Sequence, residues 1–294
     1  MKSGELSKRL LTALVGVPII VFAFIKGGYV LLAVVLFVAL VGLWEFFNIM
    51  EARGYRPLRI SGYVSGILII LSVYLLNGSY LLVLFGTVLF ILIAGLFEED
   101  NRTALSGTGG TVFGVMYIAG LLGFGIKLRD LGTVLERHYK PFVPLFSAHH
   151  IDDYTGVYAI FFVVAVIFLN DTGAYFIGRA YGRRRVAPAI SPKKSWEGVL
   201  GGVAASVATA CVIWRISPER FPLAHAIILS VILSFSGLAG DLAESRMKRD
   251  AGVKDSGAIF PGHGGIMDRI DALLFGLPVA YVYFLFYFRF IFSR

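Results

Sequence analysis

The sequence predicts an all-α polytopic membrane protein, and its composition and hydropathy carry this prediction. Of the 294 residues, 57% are hydrophobic and only 16% are charged, with a mean hydropathy of +0.78. Soluble domains carry about 25% charged residues, so too few remain here to cover a surface that faces water. This excludes a soluble globule, a disordered chain and a disulfide scaffold. The single cysteine, Cys211, allows neither an internal disulfide nor a cysteine metal cluster.

Nine apolar segments have the length that a membrane-spanning helix needs, roughly 17–25 residues. Charged residues separate most of them, and the turn sequence Asn77-Gly78-Ser79 divides the long uncharged stretch 60–97 into two. The predicted spans are 10–25, 27–44, two within 60–97, 103–126, 154–178, 198–214, 221–240 and 272–288.

The distribution of basic residues predicts a cytoplasmic N-terminus and an external C-terminus. With this orientation most of the 27 lysine and arginine residues lie in cytoplasmic loops, as the positive-inside rule requires. We therefore attribute much of the net charge of +8 to topology and expect no nucleic-acid partner. A cleaved signal peptide is not expected either, because no small-residue cleavage site precedes Lys26.

Polar residues divide the chain into three predicted regions. Residues 1–126 form a scaffold of five spans, residues 127–153 an external loop, and residues 154–294 a catalytic region of four spans. The external loop contains His138, His149 and His150, which lack the spacing of a metal site, so we expect a solvated loop.

Two isolated polar residues are expected to have structural roles. Glu45, together with Trp44, is expected to mark a helix end near the membrane interface. His225 lies in an apolar stretch and is expected to form a hydrogen bond within the helix bundle rather than to take part in catalysis.

Asp171 is the first candidate functional residue, because an aspartate inside a membrane span is costly to bury. A structural pair with Arg179 is the alternative role. The second candidate is the segment from Ser191 to Gly198, which precedes a span. Lysines there are typical of topology alone, but Ser191, Lys193 and Lys194 also suit the binding of phosphate oxygens.

The third candidate segment runs from Asp241 to Asp271. Asp241 ends one span, and Asp268 and Asp271 open the next on a shared helix face. Clustered carboxylates require a cation between them, and Mg²⁺ is the natural choice because a few carboxylates and substrate phosphates hold it. Cations and a glycine-rich turn lie between these acids and complete a predicted nucleotide or pyrophosphate site: Lys248, Arg249, Lys254, His263, Gly264, Gly265 and Arg269.

These residues resemble the signature of the phosphatidate cytidylyltransferases, also called CDP-diacylglycerol synthases. The matching pattern is Ser245-x-x-Lys248-Arg249-x4-Lys254-Asp255-x-Gly257-x-x-Phe260-Pro261-x-His263-Gly264-Gly265-x-x-Asp268-Arg269-x-Asp271. The segments around Asn170-Asp171 and Ser191–Gly198 are similar to the same family, so the resemblance covers about residues 170–271. It does not assign roles to the first five spans.

The resemblance implies a nucleotidyltransferase of phospholipid biosynthesis, in which phosphatidate attacks the α-phosphorus of CTP and pyrophosphate leaves. It implies two metal positions, one for Mg²⁺ and a second for a divalent or monovalent cation, in a homodimeric enzyme of the inner membrane with a cytoplasmic active site. Asp241, Asp268 and Asp171 are the expected metal ligands and Asp271 supports them. Lys193, Lys194, Lys248, Arg249 and Arg269 are expected to hold phosphates, and Ser191, Lys254, His263, Gly264 and Gly265 to shape the CTP site.

Three other kinds of protein are alternatives. An ion-coupled transporter also contains intramembrane acids, but it predicts inverted repeats, and the sequence shows none. A CTP-dependent polyprenol or dolichol kinase and a cytidylyltransferase for archaeal ether lipids are closer in chemistry. The long pattern from Ser245 to Asp271 favours the phosphatidate enzyme over both.

Overall fold

A computed structural model describes residues 3–76, 80–98, 104–139, 154–217, 219–257 and 264–292. The helices in these ranges are α1 (Ser3–Lys26), α2 (Gly28–Ala52), α3 (Arg59–Leu75), α4 (Tyr80–Gly95), α5 (Ala104–Val115), α6 (Leu121–Arg129), α7 (Leu131–Tyr139), α8 (Tyr154–Tyr181), α9 (Trp196–Ile216), α10 (Leu223–Asp250) and α11 (Met267–Phe292). A π-helical turn, Met116–Gly120, joins α5 to α6. Strands β1 (Arg185–Ala187) and β2 (Ser191–Ser195) form an antiparallel hairpin between α8 and α9.

The helices confirm a protein that crosses the membrane several times. Within the described ranges, six helical segments are long and apolar enough to cross: 28–52, 104–129, 154–181, 196–216, 223–250 and 267–290. The segment Gly16–Lys26 and helices α3 and α4 are shorter apolar helices. Every predicted span thus coincides with an apolar helix, while the total of nine crossings and their orientation stay predictions.

The chain folds into two compact units. The first unit consists of residues 1–126 and 244–270, and the second of residues 127–243 and 271–294. The boundary after residue 126 is also the predicted end of the scaffold. Residues 244–270, however, belong to the same unit as the N-terminal helices, although the sequence groups them with the catalytic region. The predicted division of roles between scaffold and catalytic region stays a prediction.

The first unit has an aromatic and glycine-rich core. The ring of Phe46 on α2 lies 5.8 Å from that of Phe113 on α5 and 6.5 Å from that of Tyr117. Thr111 is fully buried, and its hydroxyl accepts a hydrogen bond from the backbone N–H of Leu58 at 2.9 Å, which joins the start of α3 to α5. Glu45 is also fully buried within α2, so the prediction that it marks a helix end was wrong.

The second unit depends on close packing between α8 and α9. A Cβ atom at Gly173 would lie 2.5 Å from the Cβ of Ala205 and 2.7 Å from the carbonyl oxygen of Gly201. Small residues allow membrane helices to approach closely, and here they bring the polar end of α8 against α9. Elsewhere in this unit Nδ1 of His225 lies 2.9 Å from the hydroxyl of Tyr283, which confirms its predicted hydrogen bond.

Part of the predicted external loop is helical. Residues 127–139 complete α6 and form α7. Residues 140–153, which include His149 and His150, lie outside the described ranges, as does the side chain of His138.

The α8–α9 contact predicts a stability difference between two glycine substitutions. Gly173→Ala should lower the free energy of unfolding by about 1–3 kcal/mol, because the added methyl group overlaps α9. Gly86→Ala on α4 is the matched control, since no heavy atom lies within 4 Å of a Cβ there. Thermal unfolding in detergent measures both, and equal melting temperatures would contradict the close packing.

Candidate active site

The second unit contains a polar cavity of about 730 Å³. Residues from α8, the β-hairpin, α9 and α10 line it, so the cavity opens where the polar ends of these elements meet. Several predicted site residues line the cavity, together with other polar, charged and small residues. The lining includes Asn170, Asp171, Tyr175, Gly178, Arg179, Gly182, Arg185, Ser191, Lys193, Lys194, Ser195, Gly198, Ser234 and Asp241. The structure therefore brings the first two candidate segments and Asp241 to one place.

An ion pair between Lys194 and Asp241 lies in this cavity. Lys194 is on β2 and Asp241 is on α10, and both side chains are mostly buried, with 26% and 33% of their surface exposed. The pair joins the hairpin to the helix. Because partial burial weakens the screening of charges by water, the pair also offsets much of the cost of holding Asp241 in an apolar bundle.

Two more carboxylates lie within electrostatic reach of this pair. The charges of Lys194 and Asp241 act on both Asp171 and Asp271, and Asp171 also acts on Asp271. Asp271 accepts a hydrogen bond from the N–H of Ala272 at 2.7 Å. The second unit thus gathers three of the four predicted aspartates around one lysine.

A series of polar contacts between buried side chains leads to the carboxylate of Asp171. The hydroxyl of Ser234 on α10 lies 2.8 Å from that of Ser206 on α9, and the Ser206 hydroxyl lies 3.4 Å from Oδ1 of Asn170. The Asn170 amide donates in turn to Asp171 at 3.4 Å. The sequence did not point to Ser206 or Ser234, because a serine in an apolar helix carries no signal until its neighbours are known.

Glu197 fixes the hairpin that carries the lysines. Its carboxylate accepts hydrogen bonds from the backbone N–H groups of Arg183, at 3.0 Å, and Arg184, at 3.2 Å. Ser195, two residues earlier, caps α9, because its hydroxyl accepts a hydrogen bond from the N–H of Gly198 at 3.2 Å. Topology alone did not require a glutamate here, and these hydrogen bonds give Glu197, in the first turn of α9, a structural role.

The first unit contains a separate cluster of charged residues around Lys248. Its ammonium group contacts the carboxylates of Glu244 and Asp268, and only 8% of the residue is exposed. Asp268 also accepts from the N–H of Gly265 at 2.8 Å and from the N–H of Ser256 at 3.1 Å. Lys248 thus balances two protein carboxylates, and its predicted contact with a phosphate stays a prediction.

The remaining predicted residues of the first unit differ in exposure. Lys254, Arg249 and Arg269 are exposed, and Arg249 donates to the carbonyl of Val253 at 3.2 Å. Gly264 has a φ of 77°, a left-handed conformation that favours glycine, and its backbone passes next to Asp268. His263 lies outside the described residues.

Metal binding by protein side chains alone has little support in the described ranges, where no three His, Cys, Asp or Glu groups are placed to hold one ion. The carboxylates around Lys194 nevertheless have the chemistry that Mg²⁺ prefers, since this ion is usually held by one or two carboxylates together with substrate phosphates. The described donor set fits that mode of binding.

Comparison with known proteins identifies the family. The sequence profile described as the cytidylyltransferase family matches residues 7–287. The chain belongs to the cytidylyltransferase family. The chain is also similar to the phosphatidate cytidylyltransferase of Synechocystis sp., with 32% identity over 94% of this chain and 96% of the relative's length. The Bacillus subtilis enzyme of that name is 28% identical over 94% of this chain and 97% of its own length. The Haemophilus influenzae enzyme of that name is 43% identical over 45% of this chain and 48% of its own length.

The match to the cytidylyltransferase family confirms the resemblance found in the sequence and extends it. The sequence motifs covered about residues 170–271, whereas the family profile also includes the N-terminal helices. The N-terminal helices therefore lie within the part of the chain that matches the family, while their role as a scaffold stays a prediction.

The hydrogen bonds of Glu197 to the backbone of Arg183 and Arg184 predict the rate at which a protease cleaves this segment. Glu197→Ala should expose the backbone around Arg183, so trypsin should cleave the 183–194 segment several-fold faster than in the unsubstituted protein. Glu136→Ala, which changes an exposed glutamate of α7 in the same unit, is the control. Mass spectrometry of the fragments over time gives the rates. Identical cleavage rates in both variants would show that Glu197 does not hold the hairpin.

Proposed function

We propose that the chain is a phosphatidate cytidylyltransferase, which converts CTP and phosphatidate to CDP-diacylglycerol and pyrophosphate. The observation that carries the proposal is the polar cavity of the second unit, where acids and lysines meet inside an apolar helix bundle. The full-length relatives in Synechocystis and Bacillus subtilis bear this enzyme name, and the chain covers nearly all of their length.

The reaction needs no nucleophile from the protein. A phosphate oxygen of phosphatidate forms a bond with the α-phosphorus of CTP, and the bond from that phosphorus to the bridging oxygen of the β-phosphate breaks. Pyrophosphate leaves with the electron pair. Protein groups therefore contribute by positioning the two phosphates and by balancing the charge that develops on them.

Cations of the hairpin and α8 are suited to that task. Lys193 and Lys194 of β2, Arg185 of β1 and Arg179 of α8 line the cavity wall. Arg185 is oriented by a hydrogen bond to the carbonyl of Lys193 at 3.1 Å, and Arg179 by one to the hydroxyl of Tyr175 at 3.0 Å. Arg179, Arg185 and Lys193 are exposed, which supports binding of phosphates, for which the buried Lys248 is less accessible.

Asp241 and Asp171 would hold Mg²⁺ in the second unit, and Asp271 would support them. The bound ion would neutralise phosphate oxygens and the leaving pyrophosphate. Asp268 remains the third predicted ligand, and a second metal position is retained from the family resemblance. Lys194 already pairs with Asp241, so the protein supplies a cation of its own at that carboxylate.

The proposal includes nine crossings, a cytoplasmic N-terminus and an active site on the cytoplasmic side of the inner membrane. The excess of basic residues in the loops of that side supports the orientation. It is also the side on which CTP is available. We further propose a homodimer, on the basis of the family resemblance alone.

Purified protein should convert labelled CTP and phosphatidate to CDP-diacylglycerol and pyrophosphate when Mg²⁺ is present, and removal of Mg²⁺ with a chelator should abolish the conversion. Thin-layer separation of the lipid product provides the measurement. A folded sample that forms no CDP-lipid would refute the proposed function. Phosphorylation of a polyprenol or dolichol instead would favour the kinase alternative.

Asp241→Asn should reduce turnover by at least about 100-fold, because it removes the charge that pairs with Lys194 and would hold the metal. Asp250→Asn is the control. Asp250 lies on the same helix and forms an exposed ion pair with Arg53, so this variant should retain activity within about twofold. Rates are normalised to the folded fraction of each preparation. Full activity of Asp241→Asn would remove this residue from the site.

Single cysteines should report the orientation of the membrane helices. In a Cys211→Ser background, Glu219→Cys should react with a membrane-impermeant maleimide added to intact cells. Asp250→Cys should react only after the cells are made permeable. Both positions are exposed, and α10 separates them. The reverse pattern would place the N-terminus outside and contradict the proposed topology.

A further inference from the structure

Glu45 is a fully buried carboxylate in the interior of α2, with 0% of its surface exposed. A charge that is taken out of water and left without donors is strongly destabilising, so a buried glutamate normally has defined partners. The partners of Glu45 lie more than 200 positions further along the chain, in the segment from Ser256 to Met267 of the same unit.

Both oxygens of Glu45 accept hydrogen bonds from this segment. Oε1 accepts from the N–H of Ile266 at 2.9 Å, and Oε2 accepts from the N–H of Met267 at 2.8 Å and from the Ser256 hydroxyl at 3.0 Å. Met267 begins α11, and the first amides of a helix have no partner within the helix itself. A carboxylate at this end also interacts favourably with the helix dipole.

Two glycines of the family-like pattern are required by the same carboxylate. A Cβ atom at Gly257 would lie 2.5 Å from Oε1 of Glu45 and 2.9 Å from its carboxyl carbon. A Cβ at Gly265 would lie 2.5 Å from Oε1. The backbone on both sides of the loop therefore passes so close to Glu45 that side chains are excluded. For Gly265, the sequence alone predicts close approach of a ligand instead.

Ser256 connects Glu45 to Asp268. Its hydroxyl oxygen lies 3.0 Å from a carboxylate oxygen of each residue. A hydroxyl has one hydrogen, so it donates to one of the two carboxylates at a time. Asp268 is held in addition by the N–H groups of Gly265 and Ser256 and by Lys248. The loop is thus bound on one side to Glu45 and on the other to Asp268.

We propose that Glu45 is a positioning residue for the reaction, which fixes the loop and the start of α11 so that the Asp268 carboxylate keeps one orientation. The inference rests on the proposed function, in which Asp268 is a predicted metal ligand. Glu45 acts through Ser256 and the backbone of residues 265–267. Residues that orient a metal ligand typically affect metal affinity or activity by about 10- to 100-fold when they are changed.

Glu45→Gln tests the proposal with almost no change in shape. A glutamine has one oxygen that accepts, whereas the donors of Glu45 address both oxygens. In either orientation of the amide, its NH₂ group therefore faces at least one backbone N–H. Hydrogen exchange of the peptides that span 256–267, followed by mass spectrometry, should become about 10-fold faster or more.

Activity provides a second measurement, in which Glu45→Gln should reduce turnover by about 10- to 100-fold and raise the Mg²⁺ concentration for half-maximal rate by about threefold or more. The Mg²⁺ midpoint does not depend on the fraction of folded protein, so a general loss of stability leaves it unchanged. Thr111→Val is the matched control, because it removes a buried hydrogen bond to Leu58 in the same unit. It should change neither loop exchange nor the Mg²⁺ midpoint.

Gly257→Ala disturbs the same contact from the loop side, and it replaces Glu45→Gln as the test variant if Glu45→Gln does not fold. It should accelerate exchange at Ile266 and Met267 and shift the Mg²⁺ midpoint in the same direction. Unchanged loop exchange, or an unchanged midpoint in an active variant, would overturn the positioning role. If the unsubstituted protein forms no CDP-lipid, the proposed function fails, while the exchange measurement still decides whether Glu45 holds the loop.

Discussion

A carboxylate inside an apolar helix bundle must find its cation or its hydrogen-bond donors within the protein, because hydrocarbon supplies neither. This requirement shapes both units. In the second unit Asp241 pairs with Lys194 of the hairpin. In the first unit Lys248 joins Glu244 to Asp268, and Glu45 is satisfied by backbone N–H groups and a serine. Apart from the Lys248–Glu244 pair within one helix, these contacts join different secondary-structure elements, so the burial of charge contributes to how those elements are held together.

The same requirement suits chemistry on phosphates. In the second unit the ammonium group of Lys194 and the carboxylates of Asp171 and Asp241 line a common cavity. A nucleotide with its magnesium ion carries both kinds of charge, and it can therefore offer a new partner to the lysine and to the acids at once.

Much of this arrangement could be predicted from the sequence, since apolar segments of sufficient length become helices. Asp171 is a charge inside such a segment, and Lys194 and Asp241 lie close to the ends of others. The roles of Glu45, Ser206 and Ser234 could not be predicted. A single polar residue in an apolar helix has a meaning only when its neighbours are known, and those neighbours come from other helices. Glu45 appeared to be an interfacial residue because it is the first charge after the uncharged stretch 27–44, yet α2 continues to Ala52.

The close fit of Gly257 and Gly265 around Glu45 has a consequence for protein engineering. The glycine-rich segment cannot be transferred to another protein on its own, because the carboxylate that it packs against belongs to α2, near the N-terminus. Chimaeras that exchange C-terminal halves between relatives should keep the parental α2 with the parental loop. An α2 that lacks this glutamate would leave two helix-end amides buried without an acceptor.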